Sequence, residues 1–494
     1  MNIQEIVDII TYAEKEYAVD EWKIDGISLW PFIRLENYYV LSLLSLNGTA
    51  VLESKSSGYF KQILKSKVDH VKAKVQDSMN NSTVKKADVL LISDGMSYTK
   101  LNDTWYQKFC DPISDQLNQG KITNLRFDLG HNFIIPRYSP SKFIQSSVDN
   151  AIIKSKFMKP KFNDENWGDY ESFLTDEKIK NNFAVILDKN QIRNKIGKIK
   201  SLIKYYSKII EKTQAKICYI GCYYGDHQLA FVLACRLLGV ATVDVQHGVQ
   251  GDFHLAYGNW LKVPQQGFDS LPDYFAVWSE NEKTAIEKWN TTISKHKVIV
   301  TGNQFSEIWK MNNNKMVLSY DEKVRKLAKL ASKPLVLLTL SPHTDKETDL
   351  IYDVVKQTEN EYNWLIRLHP SQMVHQEKII QRIKDKKISK FDLIQSSSLP
   401  LYAILRNVDI HITVQSTCVI EATTFGIPSI ITTDYGKNLY LSDVKAGFGF
   451  HCESTEEIKT KLNQLSTSKL NPAKDSETEK IDIVEFTKSI LAIN

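Results

Sequence analysis

Twice along this chain of 494 residues, short runs of β-forming residues alternate with stretches long enough for helices. The first set is "DVLLIS" (88–93), "NLRFDL" (124–129), "ICYIGCY" (217–223), "ATVDVQ" (241–246), "YFAVWS" (274–279) and "KVIVTG" (297–302). Between its third and fourth runs lies "DHQLAFVLACRLLG", helical in period and closed by Gly239. After the polar "KMNNNK" (310–315) and a helix the pattern restarts with "LVLLTL" (335–340), "NWLIRL" (363–368), "FDLIQ" (391–395), "VDIHITV" (408–414), "PSIITT" (428–433) and "GFGFHC" (447–452). Such alternation predicts an α/β protein with parallel sheets covered by helices on both faces.

The length is too great for one ordinary core. The pattern divides the chain into a helical extension over 1–86, a Rossmann-like domain over 87–310, a second over 311–480 and a C-terminal helix over 481–494 that packs back on the first. Ligands on doubly wound sheets bind at the carboxyl ends of the strands, so two sheets facing across a cleft are expected to enclose the site. Within the extension, Trp22, Trp30, Phe32, Tyr38 and Tyr39 call for packing, as a cap on the first large domain or as an aromatic platform for an acceptor.

Hydrophobic residues at 42% and charged residues at 24% fit a globular chain. The net charge of +5, from 63 basic and 58 acidic residues, gives no support to bulk nucleic-acid binding. Locally, residues 61–86 carry seven lysines against two aspartates, a solvated helix face with its trailing linker or a contact with anionic lipid headgroups or a phosphorylated acceptor. The six cysteines (Cys110, Cys218, Cys222, Cys235, Cys418, Cys452) show no CxxC pair and no metal-ligand spacing, as expected of reduced thiols inside a cell. The acidic, amphipathic N-terminus is unlike a signal peptide, and no apolar run has the length of a membrane span. A cytoplasmic protein, with any membrane contact peripheral, is the expectation.

Four polar clusters close predicted strands. They are Ser93-Asp94-Gly95, Gln246-His247-Gly248, the "RLHP" of Arg367, His369 and Pro370, and "QSTCVIEA" with Ser416, Thr417 and Glu421. A Ser-Thr turn that opens a helix offers hydroxyls, backbone N–H groups and the positive end of the helix dipole, which suit a phosphate; it is also an ordinary helix cap. Glu421, one turn on, can accept hydrogen bonds from ribose hydroxyls. Arg367 and His369, two apart along a strand, share a face, and His369 can stabilise negative charge on a departing phosphate. His247 has an imidazole able to take a proton at neutral pH, and Gly248 lets a substrate approach the backbone. Neither domain gathers carboxylates as a tight Mg²⁺ site requires, so catalysis without a metal or other obligatory cofactor is expected.

On "VQHG", "PDYFAVWSENEK" followed by "VIVTGNQ", "RLHP" and "LYAILRNVDIHITVQSTCVIEATTFGIPSII", the chain resembles the GT-B glycosyltransferases of bacterial capsule and lipopolysaccharide assembly. It is similar to the sialyltransferase and Kdo (3-deoxy-manno-octulosonic acid) transferase branches and, more distantly, to CDP-glycerol polymerases. The resemblance implies a C-terminal half that binds the nucleotide donor through His369, Ser416 and Thr417, with Arg367 and Glu421 as further contacts. It implies an acceptor site in the N-terminal half, with Asp94 matching the catalytic carboxylate of a D/E-D-G motif and Ser93 standing where that motif has its first acid. Gly95, Gln246 and Gly248 then line the substrate, and His247 competes with Asp94 as the catalytic group. The expected activity is transfer of a sugar from a nucleotide donor, CMP-Kdo or a similar CMP-sugar, to a surface glycan or lipid-linked glycan. The alternatives are a CDP-glycerol or CDP-ribitol phosphotransferase and a catalytically silent glycan-binding scaffold, with a nucleotide-sugar epimerase less favoured because no set of acid-base carboxylates can be assembled.

Overall fold

A computed structural model describes residues 2–47, 85–93, 95, 97–130, 134–156, 161–290, 294–327, 333–342, 344–467 and 479–493. The chain forms two compact units, Met1–Asn303 with Glu479–Asn494, and Gln304–Thr478.

The first unit is built on seven parallel strands, β1 (Val89–Ser93), β2 (Asn124–Asp128), β3 (Lys142–Phe143), β4 (Ile217–Ile220), β5 (Ala241–Val245), β6 (Tyr274–Val277) and β7 (Lys297–Val300), in the order β7-β6-β5-β4-β1-β2-β3. Every residue of β1 and β4 is buried, as covering both faces of a parallel sheet requires. The strand order reverses between β1 and β4, the switch point at which such sheets open a crevice. Helix Lys189–Thr213 starts with a capping box in which Asp188 and Gln191 satisfy each other's backbone N–H groups.

The second unit carries β8 (Leu335–Thr339), β9 (Asn363–Arg367), β10 (Ile410–Thr413), β11 (Ser429–Ile431) and β12 (Gly449–His451), all parallel, in the order β9-β8-β10-β11-β12. Its switch point lies between β8 and β10. Helix Gln304–Lys310 belongs to this unit because Phe305 stacks on Tyr402 with ring centres 5.1 Å apart and Trp309 packs against Tyr320. Two Rossmann-like units of this kind make the GT-B fold.

One expected strand is absent. "FDLIQ" makes a single bridge from Asp392 to Leu365 and then turns into helix Ile394–Ser398. The Asp392 carboxylate accepts from the Ser396 N–H at 2.6 Å, so its side chain starts a helix where a ladder would continue. The last helix, Ile483–Ile493, packs on the first unit, where the Thr487 and Tyr219 hydroxyls meet at 2.7 Å. Of the lysine-rich stretch, residues 61–84 lie outside the described residues. Among the described residues no helix is long and apolar enough to cross a membrane.

The N-terminal extension is a cap. Helices α1 (Ile3–Glu16) and α2 (Trp30–Asn47) bury Trp22 and Trp30 completely and Phe32 nearly so, which removes these rings from any acceptor platform and leaves Tyr39 exposed. At its centre Arg34 donates to the Glu14 carboxylate at 2.8 Å, both side chains fully buried. The same carboxylate accepts from Trp30 Nε1 and the Leu261 N–H, each at 2.8 Å. Arg34 also donates to the carbonyls of Gly258 and Asn259 and lies 3.9 Å from the centre of the Trp260 ring. Removing one partner of a buried pair strands the other charge. Glu14→Ala is therefore expected to lower unfolding stability by about 3–5 kcal/mol, measured by urea unfolding, and the double variant Glu14→Leu/Arg34→Met to recover part of it.

Candidate functional site

In the first unit the site grows from the loops that leave β4 and β5. Strand β5 ends in Gln246, whose side chain is fully buried: Oε1 accepts from the Trp278 N–H at 2.7 Å and Nε2 donates to the Gly248 carbonyl at 3.0 Å. Both ends of the amide are engaged within the protein. The expected substrate contact is thereby replaced by a brace that fixes the turn carrying His247. Gly248 has no positive φ, and a Cβ there would meet nothing within 4 Å, so neither backbone nor packing accounts for a glycine at that place. Gly95 is accounted for. Its φ is +74° and a Cβ would sit 1.8 Å from the Leu129 carbonyl oxygen, which makes its glycine a requirement of the close approach of two loops rather than of a substrate. Ser93 is buried and accepts the Gly95 N–H at 3.1 Å, while Asp94 lies outside the described residues.

His247 is half-buried and its Nε2 lies 3.0 Å from the Tyr224 hydroxyl, which is also 3.4 Å from Nε2 of His254. The Ala256 N–H donates to His254 Nδ1 at 3.4 Å, which in the neutral ring places the His254 proton on Nε2, facing Tyr224. The Tyr224 proton then points at His247 Nε2, and neutral His247 carries its own proton on Nδ1. Burial holds the Tyr224 hydroxyl well above its ordinary range, so it stays a neutral donor. The edge of Phe109 closes one side of His247, with ring centres 6.1 Å apart, and Tyr38 of α2 covers His254 at 5.1 Å. Below them Asp244 is fully buried and accepts from the Tyr257 hydroxyl at 2.9 Å.

The second unit presents its polar groups at the ends of three adjacent strands. Strand β9 stops at Arg367, because His369 leaves the strand to cap the 3₁₀ helix Pro370–His375. Only Arg367 belongs to the strand, so the expected alternation along one strand does not extend to His369. Arg367 turns inward and donates from Nη1 to the carbonyls of Ser396, at 2.5 Å, and Leu399, at 2.7 Å. Burial lowers it from its usual value, with the negative charges of Cys418 and Glu421 opposing the shift. Half of its expected role as a ligand donor is thus taken by bracing the 396–399 turn. His369 is exposed, and the Ser371 N–H donates to its Nδ1 at 3.2 Å, so the neutral ring carries its proton on Nε2. Burial of part of the ring lowers its pKa.

At the end of β10 the Thr413 hydroxyl donates to the Thr339 carbonyl of β8 at 2.9 Å and accepts from the Ser416 N–H at 3.1 Å. Ser416 Oγ accepts from the Cys418 N–H at 3.3 Å. Thr417 precedes helix Cys418–Thr424 in αR conformation, exposed, with no capping bond from its hydroxyl. The cap reading therefore holds for Ser416 and fails for Thr417. Glu421 is half-buried in the first turn of that helix. Tyr440 donates to the Gln415 carbonyl at 3.1 Å and steadies the turn.

Several residues that the sequence did not single out stand at these strand ends. Tyr224 was hidden because "ICYIGCY" reads as strand to Tyr223, whereas β4 stops at Ile220; placing the strand end correctly would have found it. His254 and Asp244 had no motif. Ser341 follows β8, and its hydroxyl is buried without a partner among the described residues. Asp434, His451 and Glu453, at the ends of β11 and β12, bring one ligand atom each within 4.8 Å of the others, two exposed carboxylates and a half-buried imidazole able to take a metal ion.

No protein-family model matches this chain, and no curated protein matches it by sequence. Solved structures match its fold. UDP-GlcNAc 2-epimerase from Methanocaldococcus jannaschii superposes with a TM-score of 0.51 and 13% identity, over 82% of this chain and 99% of that one. UDP-GlcNAc 2-epimerase from Neisseria meningitidis, bound to UDP-GlcNAc, gives 0.50 and 15% over the same shares. The likeness is one of architecture, two Rossmann-like units in tandem.

Asp244 and the half-buried His254 titrate in opposite senses. Burial pushes the Asp244 carboxyl up to about 7, with the Tyr257 hydrogen bond opposing, and pushes His254 down to about 3, helped by His247. The folded pKa of Asp244 lies above its unfolded value, so the stability tied to its proton is complete below about pH 4 and lost by about pH 7, at about 1.4 kcal/mol per unit. His254, depressed, makes stability fall as pH drops from about 6.5 toward 3. Asp244→Asn is expected to be more stable than the parent at pH 8 and to lose that advantage by pH 4.5, read from urea midpoints; an equal difference at both pH values would contradict the assignment.

Proposed function

We propose that this chain is a GT-B glycosyltransferase whose second unit binds a nucleotide-activated sugar donor and whose first unit carries His247 as the group that acts on the acceptor hydroxyl. The observation that carries the reading is the set of unspent polar groups around the β8–β10 switch point. These are the buried Ser341 hydroxyl without a partner among the described residues, the exposed Thr417 hydroxyl that makes no cap, and the outward Nε2–H of His369. Hydroxyls and an imidazole donor at strand ends suit a phosphate that gains negative charge as the bond to the sugar breaks. Glu421 is assigned to the ribose and Arg367 to holding the wall behind it.

In this scheme the acceptor hydroxyl attacks the anomeric carbon and its proton passes to His247 Nε2, the position that the Tyr224 hydroxyl occupies in this structure. Before the acceptor binds, the His254 proton directed at Tyr224 leaves the Tyr224 hydroxyl to donate to His247 Nε2, which keeps the His247 proton on Nδ1; the Tyr224 hydroxyl gives up that place to the acceptor hydroxyl. The donor is a cytidine nucleotide sugar, CMP-Kdo or a relative, by the resemblance of "HP" and "ST"; a uridine nucleotide is the alternative suggested by the ligand of the Neisseria fold neighbour. A 2-epimerase, the activity of the fold neighbours, is the second reading. Against it stand the described strand-end carboxylates of the first unit: Asp128 pairs with Arg137 at 3.0 Å, and Asp244 is sealed in the core.

Melting the protein against CMP, CDP, UDP, GDP and ADP tests the donor site. A nucleotide at 100 times its Kd adds about 2.7 kcal/mol, and that shift is expected to vanish in His369→Ala. His247→Ala is expected to keep the shift and to lose sugar transfer by about 10²–10⁴-fold. Conversion of UDP-GlcNAc without acceptor would instead favour the epimerase. Transfer is expected to survive EDTA; loss restored by a divalent ion would assign a catalytic metal to Asp434, His451 and Glu453.

A further inference from the structure

The outer helical layer of the first unit holds a groove of about 900 Å³ between helix α3 (Gln145–Lys156) and helix α4 (Lys189–Thr213), separate from the strand ends that carry His247. From α4 it is lined at helical spacing by Lys200, Lys204 and Lys208, and from the facing helix and the segment beside it by Lys154 and Lys161. Among the described residues one carboxylate answers them: Asp25 accepts from Lys200 at 2.5 Å. Among the described residues Lys154, Lys161, Lys204 and Lys208 have no ion-pair partner. Like charges gathered in a concavity raise the local concentration of an anion.

The rest of the lining tells what kind of anion. Ser147 supplies a hydroxyl and Asn150 an amide, while the Ser155 and Ser201 hydroxyls, which donate to the Ile152 and Gly197 carbonyls, keep lone pairs that can accept from sugar hydroxyls. Lys200 to Lys208 rises about 12 Å along the helix, a spread that one phosphate does not bridge. The groove is concave and edged by polar side chains, whereas a helix that lies on a membrane presents an apolar face. We propose that this groove binds an acidic oligosaccharide, a chain of sugars bearing carboxylate or phosphate groups, through Lys154, Lys204 and Lys208.

The full-length protein is titrated calorimetrically with tetragalacturonate in 50 mM NaCl, alongside neutral maltotetraose, inorganic phosphate and phosphatidylglycerol vesicles, and again with Lys154→Gln/Lys204→Gln/Lys208→Gln. The expected result is binding of the tetramer alone among the sugars, weakened at least about 10-fold in the triple variant and by 500 mM NaCl, as several charge contacts require. Lys204→Glu provides the same comparison should the triple variant unfold. Failure of the tetramer to bind, or equal binding by parent and variant, would overturn the proposal. So would vesicle binding lost in the variant without tetramer binding, which would give the groove to a membrane. No nucleotide enters this experiment, so its outcome is separate from that of the donor site, and the variant's melting temperature compared with the parent's serves as its folding control.

Discussion

The buried ion pair of Glu14 and Arg34 is the contact on which the first unit's site depends. It joins an N-terminal cap to a loop more than two hundred residues away in sequence, gripping the backbone at Gly258, Asn259 and Leu261. That loop carries His254 and Tyr257, and His254 faces Tyr224, which in turn faces His247. A pair sealed from water is not needed for stability alone, since apolar packing does as well. Its use here is positional. Arg34 has donors for two carbonyls besides the carboxylate, and a hydrophobic side chain at that position would leave those carbonyls without a partner.

Much of this fold was legible because parallel strands buried on both faces read as continuous apolar runs. All six runs of the first set and five of the second became strands. The exception, "FDLIQ", shows how a single side-chain bond at Asp392 outweighs β propensity in three neighbours. The short edge strand Lys142–Phe143 had no pattern to show, since two residues cannot display a period. The aromatic cap was legible as something that must pack, but the sequence held no sign that Glu14 and Arg34 would meet.

The candidate site was legible in part, by the rule that ligands gather at strand ends. His247, His369, Ser416 and Thr417 stand at such ends. The rule does not tell a side chain that faces a ligand from one that holds the loop, and Gln246, Gly95 and Arg367 proved to be holders. Their carbonyl and amide partners come from distant segments, 396–399 for Arg367 and Trp278 for Gln246. Tyr224 and His254 were missed because their significance lies in facing His247 across loops from different strands.

The central claim is that the second unit's strand ends bind a nucleotide through His369. Its most direct measurement is the NMR spectrum of protein with ¹⁵N-labelled histidines, titrated with the nucleotide that binds tightest. His369 Nε2 is expected to move with the ligand while buried His411 and His296, held by Ser429 and the Pro272 carbonyl, do not. Saturating nucleotide that leaves the His369 signal in place would contradict it.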